Sequence, residues 1–252
     1  MDIRLTGKNV LVTGASRGIG AAIARAFGAA GARVAVHGSS SMSAAAAVAS
    51  ECGGESFAVA QDLSEPLGGA LLWDAVVERM GSVDVLVNNA AVALEMGPSL
   101  SDGDWVRAWD RTMAVNVRAA ELLARRAALH FASRGGGRMV HIASRAAHRG
   151  DTPDYITYAA SKGALVAISK SIARGYGRQG VCSFVIAPGF VRTDMAQDFI
   201  DAYGEDYVAS DIALGTLTEP SDIAPMAVFL ASGLADHATG TTVDINGASY
   251  VR

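Results

Sequence analysis

The stretch KNVLVTGASRGIG, residues 8–20, decides the fold. It begins with a short apolar run typical of a buried β-strand and continues through Gly14, Gly18 and Gly20 directly into a helix-forming segment. Glycine lets the backbone turn tightly and approach a pyrophosphate closely, while the N-terminus of the following helix favours negative charge. The spacing is G-x-x-x-G-x-G rather than G-x-G-x-x-G, and an ordinary tight strand-to-helix turn is the alternative. Because strand, glycine turn and helix together fit a βαβ unit, the stretch predicts a dinucleotide-binding loop.

The remainder of the chain repeats this alternation of short apolar runs and longer helical segments. The predicted strands cover residues 8–13, 33–37, 56–60, 83–88, 138–143, 182–187 and 241–245. The predicted helices lie near residues 18–30, 42–52, 65–80, 102–133, 157–178 and 221–232. Strands joined through helices of this size form a parallel sheet that is covered on both faces. Because no Pro-, Ser- or Gly-rich linker divides the chain, we predict one doubly wound α/β domain over residues 1–252.

Composition narrows the class of protein. Hydrophobic residues make up 50% of the 252 residues and the net charge is −4, so we expect a large core and no nucleic-acid partner. Cys52 and Cys182 are far apart and have no metal-ligating neighbours, so we expect neither a disulfide nor a metal site. The sequence shows no export signal and no apolar run of membrane-spanning length. We therefore expect a soluble cytoplasmic protein.

A second informative stretch is YAASK, residues 158–162. Tyr158 and Lys162 are four residues apart among strong helix formers, and such residues lie on one face of a helix. One interpretation is an ordinary exposed face. The other is chemistry, because a tyrosine has a pKa of about 10 and an ammonium group one turn away favours the phenolate, which lowers that pKa.

Together these motifs resemble those of the short-chain dehydrogenase/reductase family. The motifs that carry the resemblance, in the family's order and spacing, are TGASRGIG at 13–20, NNAA at 88–91, Asn116, Ser144 and YAASK. The resemblance covers residues 8 to about 247. It implies a seven-stranded Rossmann sheet, a nicotinamide cofactor and a homotetramer. One position departs from the pattern, because Ala91 stands where the family usually has glycine, and a methyl group there can restrict the loop backbone.

The resemblance assigns catalytic roles. Reduction of a ketone by a nicotinamide needs a hydride donor and a proton donor, and oxidation of the alcohol reverses these steps. By resemblance, Tyr158 is the general acid/base, and Lys162 lowers its pKa and hydrogen-bonds the nicotinamide ribose. Ser144 orients the substrate carbonyl, and Asn116 holds a water for a proton relay; the alternative for Asn116 is a side chain satisfied by backbone groups. Tyr155 has no lysine four residues later and is expected to line the pocket.

The resemblance also predicts the cofactor contacts. Tyr158 and Lys162 belong to them, and the others lie in the glycine loop or at the carboxyl ends of predicted strands. These others are Gly14, Ser16, Arg17, Gly18, Ile19, Gly20, His37, Ser39, Asp62, Leu63, Asn88, Ala90, Pro188, Gly189, Val191 and Thr193.

The end of the second predicted strand indicates which nicotinamide cofactor is used. An NAD enzyme of this architecture has an acid there to accept the ribose 2′-hydroxyl. In this chain no acid occurs from the start of that strand at residue 33 until Glu51. Arg17 lies where NADP-preferring members of the family carry a basic residue, and a guanidinium fork suits a phosphate. His37, Ser39 and Ser40 can add hydrogen bonds. We predict NADP(H), with NAD(H) as the alternative cofactor and a solvent-facing Arg17 as the competing interpretation.

The substrate is the least determined property. Residues at about 194–216 resemble the family's mobile substrate lid and carry many acids. One interpretation of these acids is an ordinary solvated helix face. In the other they border the entrance and would disfavour an anionic partner such as acyl carrier protein. Arg145, His148 and Arg149, just after Ser144, receive an anionic substrate group in one interpretation and are ordinary loop charges in the other.

The overall pattern is most similar to that of 3-oxoacyl-carrier-protein reductases. We therefore expect a ketoreductase that acts on a 3-oxoacyl compound or a small ketone. The alternatives are an NAD-dependent secondary-alcohol, sugar or polyol dehydrogenase and, more remotely, a non-catalytic NADP-binding regulatory protein. The expected partners are a small carbonyl or alcohol substrate and copies of the chain in a homotetramer, with no nucleic acid and no membrane.

Overall fold

The computed structural model describes residues 3–39 and 41–252, with the side chains of all of these except residues 198, 199, 202 and 203. The described residues form one sheet of seven parallel strands. The strands are β1 Asn9–Val12, β2 Arg33–Gly38, β3 Phe57–Ala60, β4 Val85–Asn88, β5 Gly137–Ile142, β6 Val181–Pro188 and β7 Thr242–Ile245. Ser40, expected near the 2′-phosphate, lies outside the described residues.

The helices connect these strands and cover both faces of the sheet. They are α1 Gly18–Ala29, α2 Met42–Cys52, α3 Gly68–Met80, α4 Asp102–Met113, α5 Ala120–Ser133, α6 Ala146–Arg149, α7 Ile156–Tyr176, α8 Asp194–Tyr203, α9 Glu205–Ala209 and α10 Pro220–Ala231. A π-helical turn, Ala114–Ala119, joins α4 to α5. None of the helices in the described part of the chain is long and apolar enough to cross a membrane.

The strand order places a crevice at the carboxyl edge of the sheet. The order is β3-β2-β1-β4-β5-β6-β7, so the chain winds in one direction from β1 and in the other from β4. Ligands of open α/β sheets bind where the winding reverses, outside the carboxyl ends of the strands. The predicted α/β fold class and the seven-stranded parallel sheet are confirmed. The extent of the single domain stays a prediction.

Alternation along the strands builds two apolar layers. In β1, Val10 and Val12 are buried in one layer, which includes α1 and α10, while Leu11 is buried in the other, which includes α3 and α5. The same alternation recurs in β2 and β4. Strands buried on both faces read as continuous runs of valine, isoleucine and leucine, which is why they are visible in the sequence.

The long helix predicted over residues 102–133 is wrong in one respect. It is interrupted by the π-helical turn, where hydrogen bonds span one more residue than in an α-helix. Asn116 lies within that turn and is completely buried. Its side chain bonds to residues distant in sequence, which apolar periodicity cannot reveal.

Candidate active site

Loops from separate strands meet at the carboxyl edge beside β1. A Cβ atom built on Gly14 would lie 2.8 Å from the Cα atom of Ala90, which follows β4. A Cβ atom on Gly18 would lie 3.3 Å from the side chain of Thr193, which follows β6. The glycine loop is therefore packed against the segments that the sequence predicts to bind the cofactor.

The glycines of this loop are required by geometry. Gly14 has φ +60° and Gly18 has φ +54°, and both values lie in the left-handed region. A Cβ on Gly20 would lie 2.3 Å from the carbonyl oxygen of Gly14, so a side chain there would force the loop apart. Arg17 precedes α1 in an extended conformation and makes no side-chain capping bond to the helix. The first turn of α1 thus keeps the open cradle and the positive helix end that a pyrophosphate fits.

Two residues that the sequence analysis did not assign fasten this loop to β4. The Thr13 hydroxyl accepts hydrogen bonds from the backbone N–H groups of Asn89 and Ala90, both at 3.0 Å. The Asn89 side-chain amide donates to the carbonyl oxygens of Thr13 at 2.8 Å and Gly14 at 3.0 Å. The signal for Asn89 was present in NNAA, whose second asparagine received no role.

His37, on β2, is buried with only 2% of its surface exposed. Its Nδ1 accepts a hydrogen bond from the Gly14 backbone N–H at 3.0 Å, and its Nε2 lies 2.9 Å from the carbonyl oxygen of Gln61. Both ring nitrogens are therefore engaged within the protein. Burial lowers the pKa of His37, against the opposing effect of the Gln61 hydrogen bond. A contact from His37 to a 2′-phosphate stays a prediction. In this geometry the ring instead links Gly14 to Gln61.

Ser16, Gly38 and Ser39 lie near the end of β2. A Cβ atom on Gly38 would come within 3.5 Å of the Ser16 side chain, so the strand end adjoins the glycine loop. Ser39 is exposed. This is the region where the ribose of a dinucleotide would lie.

Arg17 is exposed and forms a long ion pair with Asp194, with Nη1 and Oδ2 3.5 Å apart. Asp194 is exposed as well and begins α8. Because exposed ion pairs are weak, a phosphate can take the place of this carboxylate. Arg17 is therefore exposed but paired, and its partner can be exchanged.

The predicted cofactor contacts at the ends of β3 and β4 differ in burial. Asp62 is exposed after β3, and its Oδ1 accepts hydrogen bonds from the backbone N–H and the hydroxyl of Ser64, which lower the pKa of Asp62. The Leu63 side chain is buried in the core, so only its backbone can face a ligand. Asn88 is also buried, and its side-chain nitrogen donates to the carbonyl oxygen of Ala120 at 2.9 Å.

The loop after β6 is held by close packing. The Gly189 N–H donates to the carbonyl oxygen of Ile245 at 2.9 Å, and a Cβ on Gly189 would lie 2.8 Å from Asn246. Val191 is buried, and Thr193 is the N-terminal cap residue of α8. This loop follows Pro188, the last residue of β6.

Ala91 replaces the family's glycine without backbone strain. Among the described residues, the non-glycine residue with positive φ is Ala248, so Ala91 lies in an ordinary region of backbone space. The departure from the family pattern therefore needs no unusual backbone at that position.

Ser144, Tyr158 and Lys162 meet at the end of β5. The Ser144 side chain lies close enough to the Tyr158 phenol to lower the pKa of that phenol. The Lys162 Nζ donates to the carbonyl oxygen of Ile142 at 2.8 Å and lies 5.5 Å from the centre of the Tyr158 ring. The structure thus brings together the tyrosine, the lysine and the serine that the sequence predicted to cooperate.

The expected lowering of the Tyr158 pKa is not found in this arrangement. Burial raises the pKa of Tyr158 to about 12, which outweighs the lowering by the Ser144 hydrogen bond, and Asp151 raises it further. Burial likewise lowers the pKa of Lys162 to about 8. The ammonium group points at the Ile142 carbonyl rather than at the phenol oxygen, so its charge does not stabilise the phenolate here.

Asn116 is satisfied by protein groups. Its Oδ1 accepts from the Val92 backbone N–H at 2.8 Å, and its Nδ2 donates to the Val92 carbonyl at 2.9 Å and to the Ser161 hydroxyl at 3.0 Å. These contacts favour the alternative of a structural asparagine, although one partner is a side chain from α7. A water relay through Asn116 stays a prediction. Tyr155 is half-buried and directly precedes α7.

The charges after Ser144 are tied to the lid segment. Arg145 and Arg149 each place Nη1 on the same carboxylate oxygen of Asp211, at 3.0 and 3.2 Å. Only 13% of the Arg145 side chain is exposed. These contacts indicate that the two arginines bind the segment 194–216, which plain solvent-facing loop charges would not do. Burial lowers the pKa of the neighbouring His148.

The chain is similar to known proteins over nearly its whole length. A family model described as enoyl-(acyl carrier protein) reductase matches residues 14–248. D-threitol dehydrogenase of Mycolicibacterium smegmatis is 36% identical over 100% of this chain and 96% of its own length.

Two solved structures share the fold closely. A 3-oxoacyl (acyl-carrier-protein) reductase from Agrobacterium tumefaciens with NADP bound is 33% identical, with a TM-score of 0.89 over 97% of this chain and 95% of its own. The angucycline C-6 ketoreductase LanV with bound NADP is 36% identical, with a TM-score of 0.88 over 98% of this chain and 96% of its own.

The fold and the site are those of an oxidoreductase acting on CH–OH and C=O groups. The chain belongs to the short-chain dehydrogenase/reductase family.

Proposed function

We propose that this protein is an NADP(H)-dependent ketoreductase that reduces a 3-oxoacyl compound or a small ketone. The observation that carries the proposal is that Tyr158 and Lys162 share one face of α7, with the Lys162 Nζ 5.5 Å from the centre of the Tyr158 ring. Both lie beside Ser144 at the sheet edge that holds the glycine loop. A non-catalytic nucleotide-binding protein has no use for this acid/base arrangement.

The protein's own residues would handle the proton and the orientation. The nicotinamide supplies the hydride when it is bound. Ser144 hydrogen-bonds the carbonyl oxygen of the substrate, and the Tyr158 hydroxyl gives its proton to that oxygen as negative charge develops. Lys162 would turn from the Ile142 carbonyl toward the nicotinamide ribose and the phenol oxygen. There its charge would stabilise the phenolate left after proton transfer.

Reduction and oxidation need different protonation states of Tyr158. A phenol with a pKa of about 12 is protonated at neutral pH, which suits a proton donor. Oxidation of an alcohol needs the phenolate, and burial opposes that form. The rate of alcohol oxidation should therefore rise as the pH increases above neutrality, while ketone reduction proceeds at neutral pH.

The choice of NADP(H) is supported by the end of β2 and by Arg17. The glycine loop adjoins Gly38 and Ser39, which carry no charge, and Arg17 is held only by a weak exposed ion pair. Both similar solved structures described above carry NADP. An NAD-dependent dehydrogenase is the alternative within the same chemistry.

One observation favours a second substrate class. D-threitol dehydrogenase is 36% identical over the whole of this chain, so a polyol is an alternative substrate that would be oxidised at the same site. Nothing in the catalytic residues separates the two classes, because the same acid/base serves both directions.

The deciding experiment is a substrate screen with purified protein. NADPH and NADH are each tested with simple ketones and 3-oxoacyl thioesters, and NADP⁺ and NAD⁺ with sugars and polyols, with the absorbance of the reduced nicotinamide followed. Turnover of a ketone or 3-oxoacyl thioester with NADPH supports the proposal. Turnover confined to polyols with NAD⁺ supports the alternative, and binding without any turnover favours a regulatory protein.

We also propose a homotetramer with D₂ symmetry. Its support is exposed apolar surface on two of the helices, namely Trp105 and Val106 on α4 and Leu129 on α5. Light scattering at micromolar concentration should give four times the chain mass, and a monomeric mass would contradict it. A cytoplasmic location is proposed as well, since the two described cysteines are free thiols, which a reducing compartment preserves.

A further inference from the structure

His37 makes two hydrogen bonds that fix its protonation state. The carbonyl oxygen of Gln61 can only accept, so Nε2 of His37 carries a proton and donates it. The backbone N–H of Gly14 can only donate, so Nδ1 must be unprotonated and accept. The ring is therefore a neutral imidazole with its proton on Nε2.

This ring joins two parts of the predicted nucleotide site. Gly14 opens the glycine loop, and the His37 carbonyl oxygen also accepts from the Ala15 N–H at 2.7 Å, so His37 holds two successive residues of that loop. Gln61 follows β3 and directly precedes Asp62, one of the predicted cofactor contacts. The imidazole thus links the glycine loop to the segment that follows β3.

We propose that His37 is a positioning residue for nucleotide binding, which holds the Gly14 end of the glycine loop only while its imidazole is neutral. The inference rests on the proposed use of a nicotinamide dinucleotide. A direct contact from His37 to the 2′-phosphate is a separate prediction, and the one N–H of the ring that could make it is committed to Gln61.

Protonation would oppose this arrangement. An imidazolium has N–H groups at both ring positions, so its Nδ1–H would face the N–H of Gly14. The loop would have to move away from β2, and the affinity for nucleotide would fall. If the bound state excludes the proton, the dissociation constant rises by up to about tenfold for each pH unit below the pKa of the imidazole.

The hydrogen-bond partners of the His37 ring cannot themselves cause such a pH dependence. The residues packed on the ring from the glycine loop and from the end of β3, Gly14 and Gln61, carry no ionisable side chain. Asp62 is exposed and bonds to Ser64, and Arg17 is exposed and pairs with Asp194. Burial is the largest influence on the pKa of His37.

The test is a pH series of dissociation constants by fluorescence or calorimetry. NADPH is compared with NADH, because the 2′-phosphate itself takes up a proton near pH 6 and NADH does not carry it. The expected result is that affinity for both nucleotides falls with the same additional slope as the solution becomes acidic. An NADH affinity that does not change with pH while the protein stays folded would overturn the proposal.

Matched variants separate the two hydrogen bonds. In His37→Asn the amide oxygen takes the place of Nδ1 and can still accept from Gly14. In His37→Gln the amide nitrogen takes the place of Nε2, so the bond to Gly14 is lost. We expect His37→Asn to bind NADPH nearly as well as the unmodified protein at pH 8 and to lose the acid slope. We expect His37→Gln to bind about tenfold more weakly, the effect of one lost hydrogen bond. Equal affinities for the two variants would contradict the proposal.

The unmodified protein provides a readout that does not depend on any variant folding. The Gly14 amide resonance should report a hydrogen-bonded, slowly exchanging proton at pH 8 and should shift along the same pH curve as nucleotide affinity. A Gly14 resonance that stays constant while affinity changes would overturn the proposal. Ketone turnover at pH 8 tests the proposed function separately, because the imidazole is neutral there.

Discussion

The glycine-loop edge and the lid segment, residues 194–216, are held by different forces. At the edge, Thr13, His37 and Asn89 hold the backbone through partly buried hydrogen bonds of 2.8–3.0 Å. The lid segment has a small apolar cluster of its own, which includes Ile200, Val208 and Ile212. Its links to the glycine loop and to the residues after Ser144 are ion pairs of two largely exposed carboxylates, Asp194 and Asp211. Partly buried hydrogen bonds impose one geometry, whereas exposed ion pairs contribute little and are screened by salt. The nucleotide side is therefore preformed, and the substrate side can adapt.

The largest effect is expected from Tyr158→Phe, at the preformed edge. Only the phenolic oxygen is removed, so the fold and NADPH binding should persist while kcat falls by about 10²–10⁴-fold, the usual contribution of general acid catalysis. Steady-state kinetics with a verified substrate measure this loss. Tyr155→Phe is the matched control and should change kcat by less than about threefold. A Tyr158→Phe enzyme that keeps most of its rate would remove the acid/base assignment.

The next effect concerns His141, which is buried in β5 with its Nδ1 3.3 Å from the Asn88 side-chain nitrogen. Burial lowers its pKa to about 4, below the ordinary value of 6.5. Between these two pH values the unfolded chain binds a proton that the folded chain refuses. The free energy of unfolding should therefore fall with decreasing pH, by up to about 3 kcal/mol for this group.

Urea denaturation from pH 7 to pH 4.5 measures that fall. His141→Gln, which cannot take up the proton, should reduce the acid dependence without removing it, because the pKa values of His37 and His148 are lowered as well. If this variant kept the same acid dependence as the original protein, another group would be responsible.

A smaller effect is expected where the edge meets the lid, at Arg17. A charge-assisted contact to the 2′-phosphate is worth about 1.5–3 kcal/mol, so NADPH should be preferred over NADH by at least about tenfold in kcat/KM. Arg17→Ala should remove most of this preference and leave NADH use nearly unchanged. Gly38→Asp should reverse it by placing a carboxylate near the ribose; its Cβ would meet Ala45 at 3.3 Å, which needs only a slight shift. Equal use of both cofactors by the unmodified protein would favour the NAD-dependent alternative.

The smallest effect belongs to the lid. Asp211→Asn removes the carboxylate shared by Arg145 and Arg149, and exposed pairs of this kind contribute about 1 kcal/mol or less. We expect KM to rise by less than about fivefold with kcat nearly constant, and 0.5 M salt to reproduce the change in the unmodified protein. Asp206→Asn removes the same charge elsewhere in the lid and is the control. A large loss of kcat in Asp211→Asn would show that the lid is as rigid as the glycine-loop edge.

The fold was readable from the sequence because its strands are buried on both faces and its turns need glycine. Each of the seven predicted strands overlaps an observed strand, with ends that differ by two residues or fewer. The tyrosine, lysine and serine of the site were equally visible, since their spacing is local or follows a strand end. Contacts between distant segments were not visible. The bonds of His37 to Gly14 and Gln61, for example, depend on how three loops pack.

The same reason explains why the lowering of the Tyr158 pKa is not found in this arrangement. Spacing along a helix shows that Lys162 is near, but not that its ammonium group points at the Ile142 carbonyl. The substrate class also stays open at the sequence level. Acids of the lid segment such as Asp194 and Asp211 are exposed, and in the sequence their pattern differs little from an ordinary solvated surface.

The π-helical turn between α4 and α5 has a consequence for how this region tolerates length changes. A π-helical turn takes up one residue more than an α-helical turn for nearly the same rotation around the helix axis. The buried face of α5, which includes Leu123, Ala127 and Phe131, therefore keeps the phase that it would have if this turn were α-helical and one residue shorter. Deleting one residue from Ala114–Ala119 would convert the turn to α-helix and leave this face against the sheet. The same deletion at the start of α5 would rotate the residues after it by about 100° and carry this face away from the sheet.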